Sequence, residues 1–131
     1  MNEGKENIIV QKSYAFALEI VRLYKVLSGK NEYVLSKQIL RSGTSIGANI
    51  HEAVSSESKR DFIHKMGIAL KESRETCYWL NLLKDSGYLH EQTFGSLNDS
   101  CLSIIKILNS IILTTKQRYF QNTQKPNLDF L

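Results

Sequence analysis

Proline is nearly absent from this chain: one residue in 131, Pro126, near the C-terminal end. Residues 1–125 therefore meet no proline that would break or kink a helix. Cysteine is scarce too. Cys77 and Cys101 are the only two, and they form no CxxC pair. That argues against a disulfide framework, and it predicts thiols packed in a core and a cytoplasmic setting. No uncharged apolar run approaches the ~20 residues of a membrane span. Even the greasiest region, 102–113, is interrupted by Lys106 and Asn109, so no membrane partner is expected. The first seven residues are polar and lead into no apolar signal core. Low-complexity tracts, internal repeats and convincing strand patterns are also missing.

What remains is a chain with 42% hydrophobic and 23% charged residues and a net charge of +4. The length suits one domain, placed at 1–120, with a loose, mostly polar tail at 121–131. The mild positive charge permits an anionic partner without requiring one.

Apolar periodicity divides the chain into four helices. The first spans about 8–28 and stops at Gly29. It carries two adjacent stripes: Val10, Tyr14, Ala17, Leu18, Val21 and Tyr24, then Ile9, Phe16, Ile20, Leu23 and Leu27. The second covers 32–55. Ser58, with Asp61 three residues on, marks the start of the third, at 59–86, and Gly87 its end. Phe62, Ile63, Met66, Ala69, Leu70, Ser73, Cys77 and Leu80 are its core face, while Ile68, Trp79 and Leu82 lie off that face. The fourth covers 92–120, with Leu97, Cys101, Ile104, Ile105, Leu108, Ile111, Ile112 and Thr115 inward and Leu102, Leu113 and Phe120 off the core. Asn109 shares that off-core row, where a buried Asn would fix register. Short connections predict an all-α, antiparallel up-down-up-down bundle. Surplus apolar stripes on three helices point to a homo-oligomer with Ile68, Trp79, Leu82, Leu102 and Leu113 at its interface. The alternative is scattered surface apolar residues.

The second helix contains the most informative stretch, RSGTSIGAN at 41–49. Leu35, Ile39, Ile46, Ile50 and Ala53 keep a helical period through residues that ordinarily break one. An interior glycine costs a helix about 1 kcal/mol, so a close approach of another backbone is expected to offset it.

Chemistry is hard to find. Asp61 and His64 have Glu-x-x-His-like spacing, but only once, and di-iron bundles need two such motifs. His51-Glu52 lacks a second His four residues after the first, and His90 sits in a turn, so no metal or cofactor is expected. Serines are plentiful, yet no nucleophile elbow appears, and Gly43 and Gly47 make no phosphate loop. No catalytic residue and no small-molecule substrate follow. Arg41, Glu72 and Glu75, which flank packed faces, are expected to form an inter-helix or inter-subunit ion pair. Asn49 and Glu52 join them as structural polar groups. The cations Lys12, Arg22 and Lys25, near the first loop with Lys30 and Lys37, and Lys116 and Arg118, in an acid-free stretch, are the candidate phosphate contacts. The plain reading of these cations is solvated faces that complement helix ends. Tyr119 and Phe120 could stack on bases or close a core.

The run QILRSGTSIGANI at 38–50, followed by DFI at 61–63, ALKE at 69–72 and ETCYWL at 75–80, resembles the bacterial four-helix bundle family named for open reading frames in 23S rRNA intervening sequences. The likeness spans about 8–120, and His51 departs from the small residue usual there. The resemblance implies an antiparallel bundle assembling as a homopentamer, with no established catalytic activity. Its rRNA name reflects gene location and does not speak for ribosome binding. The family is also similar in fold to the accessory proteins of diversity-generating retroelements, basic pentameric barrels that associate with nucleic acid and a reverse transcriptase. The expectation is a non-enzymatic oligomeric scaffold that binds RNA or DNA through a basic surface. The alternative is a protein-interaction adaptor with no nucleic-acid role.

Overall fold

The computed structural model describes residues 3–123, with side chains through Phe120. Four helices follow in order: α1 Glu3–Gly29, α2 Leu35–Val54, α3 Lys59–Asp85 and α4 Glu91–Thr123. There are no strands among the described residues. Each helix packs on its sequence neighbours, and α4 returns to α1 to close the square. Contacts run in opposite chain directions across every seam. Gly43 meets Ile20 while Gly47 meets Ser13. Arg41 pairs with Glu72 while Glu52 pairs with Lys65. Cys101 meets Cys77 while Phe94 meets Lys84. The bundle is therefore antiparallel throughout.

The core follows the apolar period. Of the two stripes on α1, Ile9, Phe16, Ile20, Leu23 and Leu27 point inward. They meet Ile39, Ile46, Ile50 and Ala53 of α2, Met66, Ala69, Leu80 and Leu83 of α3, and Leu97, Cys101, Ile104, Leu108 and Ile111 of α4. At about 25 cal/mol per Å² of apolar surface removed from water, these positions supply most of the favourable term. Phe62, Leu70 and Cys77 only flank this core and are half-buried. Asn109 is exposed and does not serve as a buried register residue. By length and composition, Glu91–Phe120 also suffices to cross a membrane. In the bundle one face of that helix packs in the core.

The helix ends differ from expectation. α1 ends at Gly29, but Gly29 is not its left-handed cap and its Cα faces open space. That cap is Asn31, with φ of 67°. The Asn31 amide donates to Ser28 O at 3.0 Å and the Glu32 amide to Leu27 O at 2.9 Å, the paired bonds of a Schellman ending. Asn tolerates the left-handed region better than other side-chain residues. Gly87, with φ of 85°, ends α3 in the same way.

α2 begins at Leu35, three residues later than the period suggested, because Glu32 acts on the helix start from outside. Its carboxylate accepts from the Ser36 amide at 2.6 Å and from the Val34 amide at 3.3 Å. The Ser36 hydroxyl donates back to Glu32 O at 2.7 Å. Burial pushes the Glu32 carboxyl up, but the amides of Ser36, Leu35 and Val34 outweigh it and hold it below the ordinary carboxylate range. Ser58 caps α3 by accepting from the Asp61 amide at 3.0 Å. α4 continues to Thr123, three residues past Phe120, and the remaining tail, 124–131, lies outside the described residues.

Candidate nucleic-acid interface

The α1–α4 seam is the most open of the four. Two adjoining hollows run along it, of about 450 and 240 Å³, sharing Glu19, Ser96 and Leu97. α1 supplies Lys12 and Arg22 to this groove, Lys30 just past its end joins them, and the α3–α4 turn supplies Tyr88 and His90. The facing wall of α4 presents Thr93, Ser96 and Ser100. Leu23, Leu97 and Ile104 form its floor. Further along the seam, the Lys5 ammonium donates to Ser110 Oγ at 2.6 Å. At 1.5 Å per residue, the span from Lys5 to Lys30 is about 38 Å.

Charge in the groove is asymmetric. Among the described residues Glu19 is the one acid lining it, and it is paired with Arg22 at 3.2 Å on the exposed rim. Chemically the groove offers cations on one wall, neutral hydroxyl donors on the other and an apolar floor. A phosphodiester chain uses the first two, and Tyr88, which is partly exposed, offers a ring for stacking.

The structure divides the sequence-derived cations. Lys12 and Arg22 line the α1–α4 groove. Lys25 is exposed on α1 and does not line it. Lys116 is exposed on the last turns of α4, at the other end of the bundle. Arg118 lines a separate hollow there, of about 460 Å³, in the company of Glu3, Glu6, Glu57 and Lys59. Three acids against two cations make that hollow a poor seat for phosphate. Lys30 and His90, sixty residues apart, come together only when α4 closes onto α1.

The structural polar residues gather at the α2–α3 crossing. The Arg41 guanidinium donates to Glu72 Oε2 at 3.1 Å and also to Glu75 Oε2. Trp79 Nε1 donates to the same Glu75 oxygen at 3.0 Å. The indole bond, working against burial and helped by Arg41, holds the Glu75 carboxyl below its ordinary value. The Glu75 hydrogen bond likewise raises the Arg41 guanidinium. Below this cluster the buried hydroxyls of Ser42 and Thr76 are hydrogen-bonded at 2.9 Å. Asn49 donates to Ser45 O at 2.8 Å within α2. Glu52 accepts from Lys65 at 2.8 Å, which lowers the carboxyl and raises the ammonium. Arg41 is half exposed, so the cluster is an exposed-rim network that closes no substrate cleft.

The residues assigned to an interface fall into two sets. Ile68, Trp79 and Leu82 are half-buried within the bundle, with the Trp79 ring edge-on to Tyr78 at 5.0 Å. Leu102, Leu113 and Phe120 remain 51%, 59% and 48% exposed along α4. Tyr14, at 67%, and Leu18, at 42%, stand exposed on α1. Among the described residues no three His, Cys, Asp or Glu side chains cluster as a metal site.

Comparison with known proteins adds a family. The model of the 23S rRNA-intervening sequence protein family matches residues 5–110. Among solved structures, the chain is similar to a protein of unknown function from the S23 ribosomal protein family of Bacteroides thetaiotaomicron VPI-5482, whose crystal structure was determined at 1.70 Å. The two are 51% identical with a TM-score of 0.80, over 82% of this chain and 97% of that one. No curated protein matches the chain.

Proposed function

The chain belongs to the 23S rRNA-intervening sequence protein family, and from that premise we propose that it is a non-enzymatic, self-associating helical bundle that binds the phosphate backbone of RNA along the α1–α4 groove. One observation carries the reading: Lys12, Arg22, Lys30 and His90 converge on a single groove whose facing wall is hydroxyl-bearing and whose only acid among the described residues is Glu19. Such contacts are sequence-independent and release counterions, so affinity falls steeply with salt.

Self-association rests on the apolar residues that α4 leaves exposed, Leu102 and Leu113. A ring of five copies, the assembly the family resemblance implies, would repeat the groove around its rim and multiply weak phosphate contacts. Light scattering at micromolar protein tests this part, and a monomer mass would end it.

RNA binding is tested by fluorescence anisotropy of a labelled structured RNA, titrated at about 50 and about 200 mM salt. Binding at micromolar protein or tighter that weakens at least tenfold at the higher salt supports the reading. Equal affinity for a DNA duplex would widen the ligand class to any polyphosphate backbone. No binding at either salt would remove it and leave the protein-interaction adaptor, favoured by the exposed apolar residues of α4, as the function to pursue.

A further inference from the structure

We propose that Cys77 of α3 and Cys101 of α4 are a hydroperoxide-oxidised modification site, closing to a disulfide that staples the two helices together. Their sulfurs are 3.1 Å apart, inside ordinary non-bonded contact for two sulfur atoms, and both are free thiols. They are the only cysteines in the chain, so neither has a competing partner within it.

The two thiols are unequal in the way a two-step oxidation needs. Cys77 is half-buried and within reach of a small solute, while Cys101 is sealed in the core. In the dithiol, Cys77 donates toward Cys101 Sγ, and Cys101 donates to the Ser73 carbonyl oxygen at 3.2 Å. When Cys77 loses its proton, the Cys101 S–H turns to it. That hydrogen bond, working against burial, draws the Cys77 thiol below its ordinary value. The same contact and burial push Cys101 up. The reachable thiol is thus also the one that ionises first, the condition for attack on an oxidant.

The chemistry balances with a hydroperoxide as oxidant. The Cys77 thiolate attacks the distal peroxide oxygen. The O–O bond breaks, leaving a Cys77 sulfenic acid and, after protonation, an alcohol or water. Cys101 sulfur then attacks Cys77 sulfur. The S–O bond breaks as the S–S bond forms, and the Cys101 proton leaves with the hydroxyl as water. Two thiols and one hydroperoxide become one disulfide, one alcohol or water, and one further water. A dithiol reductant reverses the result by exchange.

The staple would fix α4 against α3, and Ser100 and Ile104 beside Cys101 belong to the wall and floor of the α1–α4 groove.

The test uses the full reduced chain, treated with a small excess of hydrogen peroxide and read by intact mass and non-reducing peptide mapping. Loss of two hydrogens, one linked peptide containing Cys77 and Cys101, full reversal by dithiothreitol and a thermal midpoint raised by about 5 °C or more are expected. A Cys101→Ser chain, its fold checked by circular dichroism, should instead accumulate a Cys77 sulfenic acid that dimedone traps. An unchanged dithiol, oxygen adducts on Cys77 without the link, or links only between chains would each overturn the proposal.

Discussion

Gly43 of α2 and Ile20 of α1 share a space that has no room for one more carbon. A Cβ on Gly43 would lie 2.8 Å from Ile20 Cγ1 and 2.9 Å from Cγ2. Ile20 is fully buried and branched at Cβ, so it cannot swing clear. The close approach that offsets this helical glycine is made by a side chain. At Gly47, one turn on, it is the backbone carbonyl and hydroxyl of Ser13, both at 3.4 Å.

The two glycines should therefore respond oppositely to alanine. Gly43→Ala gains about 1 kcal/mol of helix propensity but forces the α1–α2 seam apart, an overpacking cost of about 1–3 kcal/mol. Net destabilisation is expected. Gly47→Ala meets only ordinary contact and keeps the propensity gain, so it should be neutral or stabilising by up to about 1 kcal/mol. Urea midpoints of the two variants check the contrast, and equal effects would contradict the geometry.

Glu32 offers a test in pH. Its folded carboxyl is held below the ordinary 4.5, so its contribution is present above that value and is lost as pH falls through the lower folded value. Glu32→Ala should lower stability by about 1–2 kcal/mol near neutrality, since it orphans the amides of Ser36 and Val34. The loss should shrink below pH 4.5. Unfolding curves at several pH values, compared between the two proteins, give the result directly.

Much of this was legible in the sequence and some was not, for physical reasons. Periodicity is a property of one helix at a time, so Ile9, Phe16, Ile20, Leu23 and Leu27 could be read as one stripe before any packing was known. Caps that act from outside the period were missed. Asn31 took the left-handed place that Gly29 seemed made for, and Glu32, which looked like the first residue of α2, caps it instead. The groove was invisible because it needs α4 to close onto α1. Lys30 and His90 carry no sequence relation, and Arg118 looked free of acids only because Glu3, Glu6 and Glu57 lie far away in the chain. The contact between Cys77 and Cys101 is likewise set by the pitch of two helices.

Trp79→Phe should lower stability near neutrality, and the difference from the parent should vanish as pH falls through the lowered folded value of Glu75. Phenylalanine keeps most of the apolar contact but removes the indole N–H that holds the Glu75 carboxylate. The folded carboxyl then moves back toward its ordinary value, and the stability it lent above that value becomes smaller. Arg41→Ala should act in the same direction, and its effect should fade in high salt because Arg41 is half exposed. A stability difference from the parent that stays constant with pH in both variants would show that the network carries no pH dependence.

The division of cations between two ends of the bundle makes the sharpest functional test. Lys12→Ala with Lys30→Ala removes two groove cations, while Lys116→Ala with Arg118→Ala removes the same charge from the far end of α4. If RNA followed net charge alone, the two pairs would weaken it equally. If it lies in the α1–α4 groove, only the first pair should reduce the salt slope, by about one unit per lost phosphate contact. Lys12, Lys30 and Lys116 are exposed and Arg118 is half-buried, so neither double variant should change the free energy of unfolding by more than about 1 kcal/mol. Affinity at two salt concentrations for both variants separates location from bulk charge. Equal losses would move the interface off the groove while leaving RNA binding itself standing.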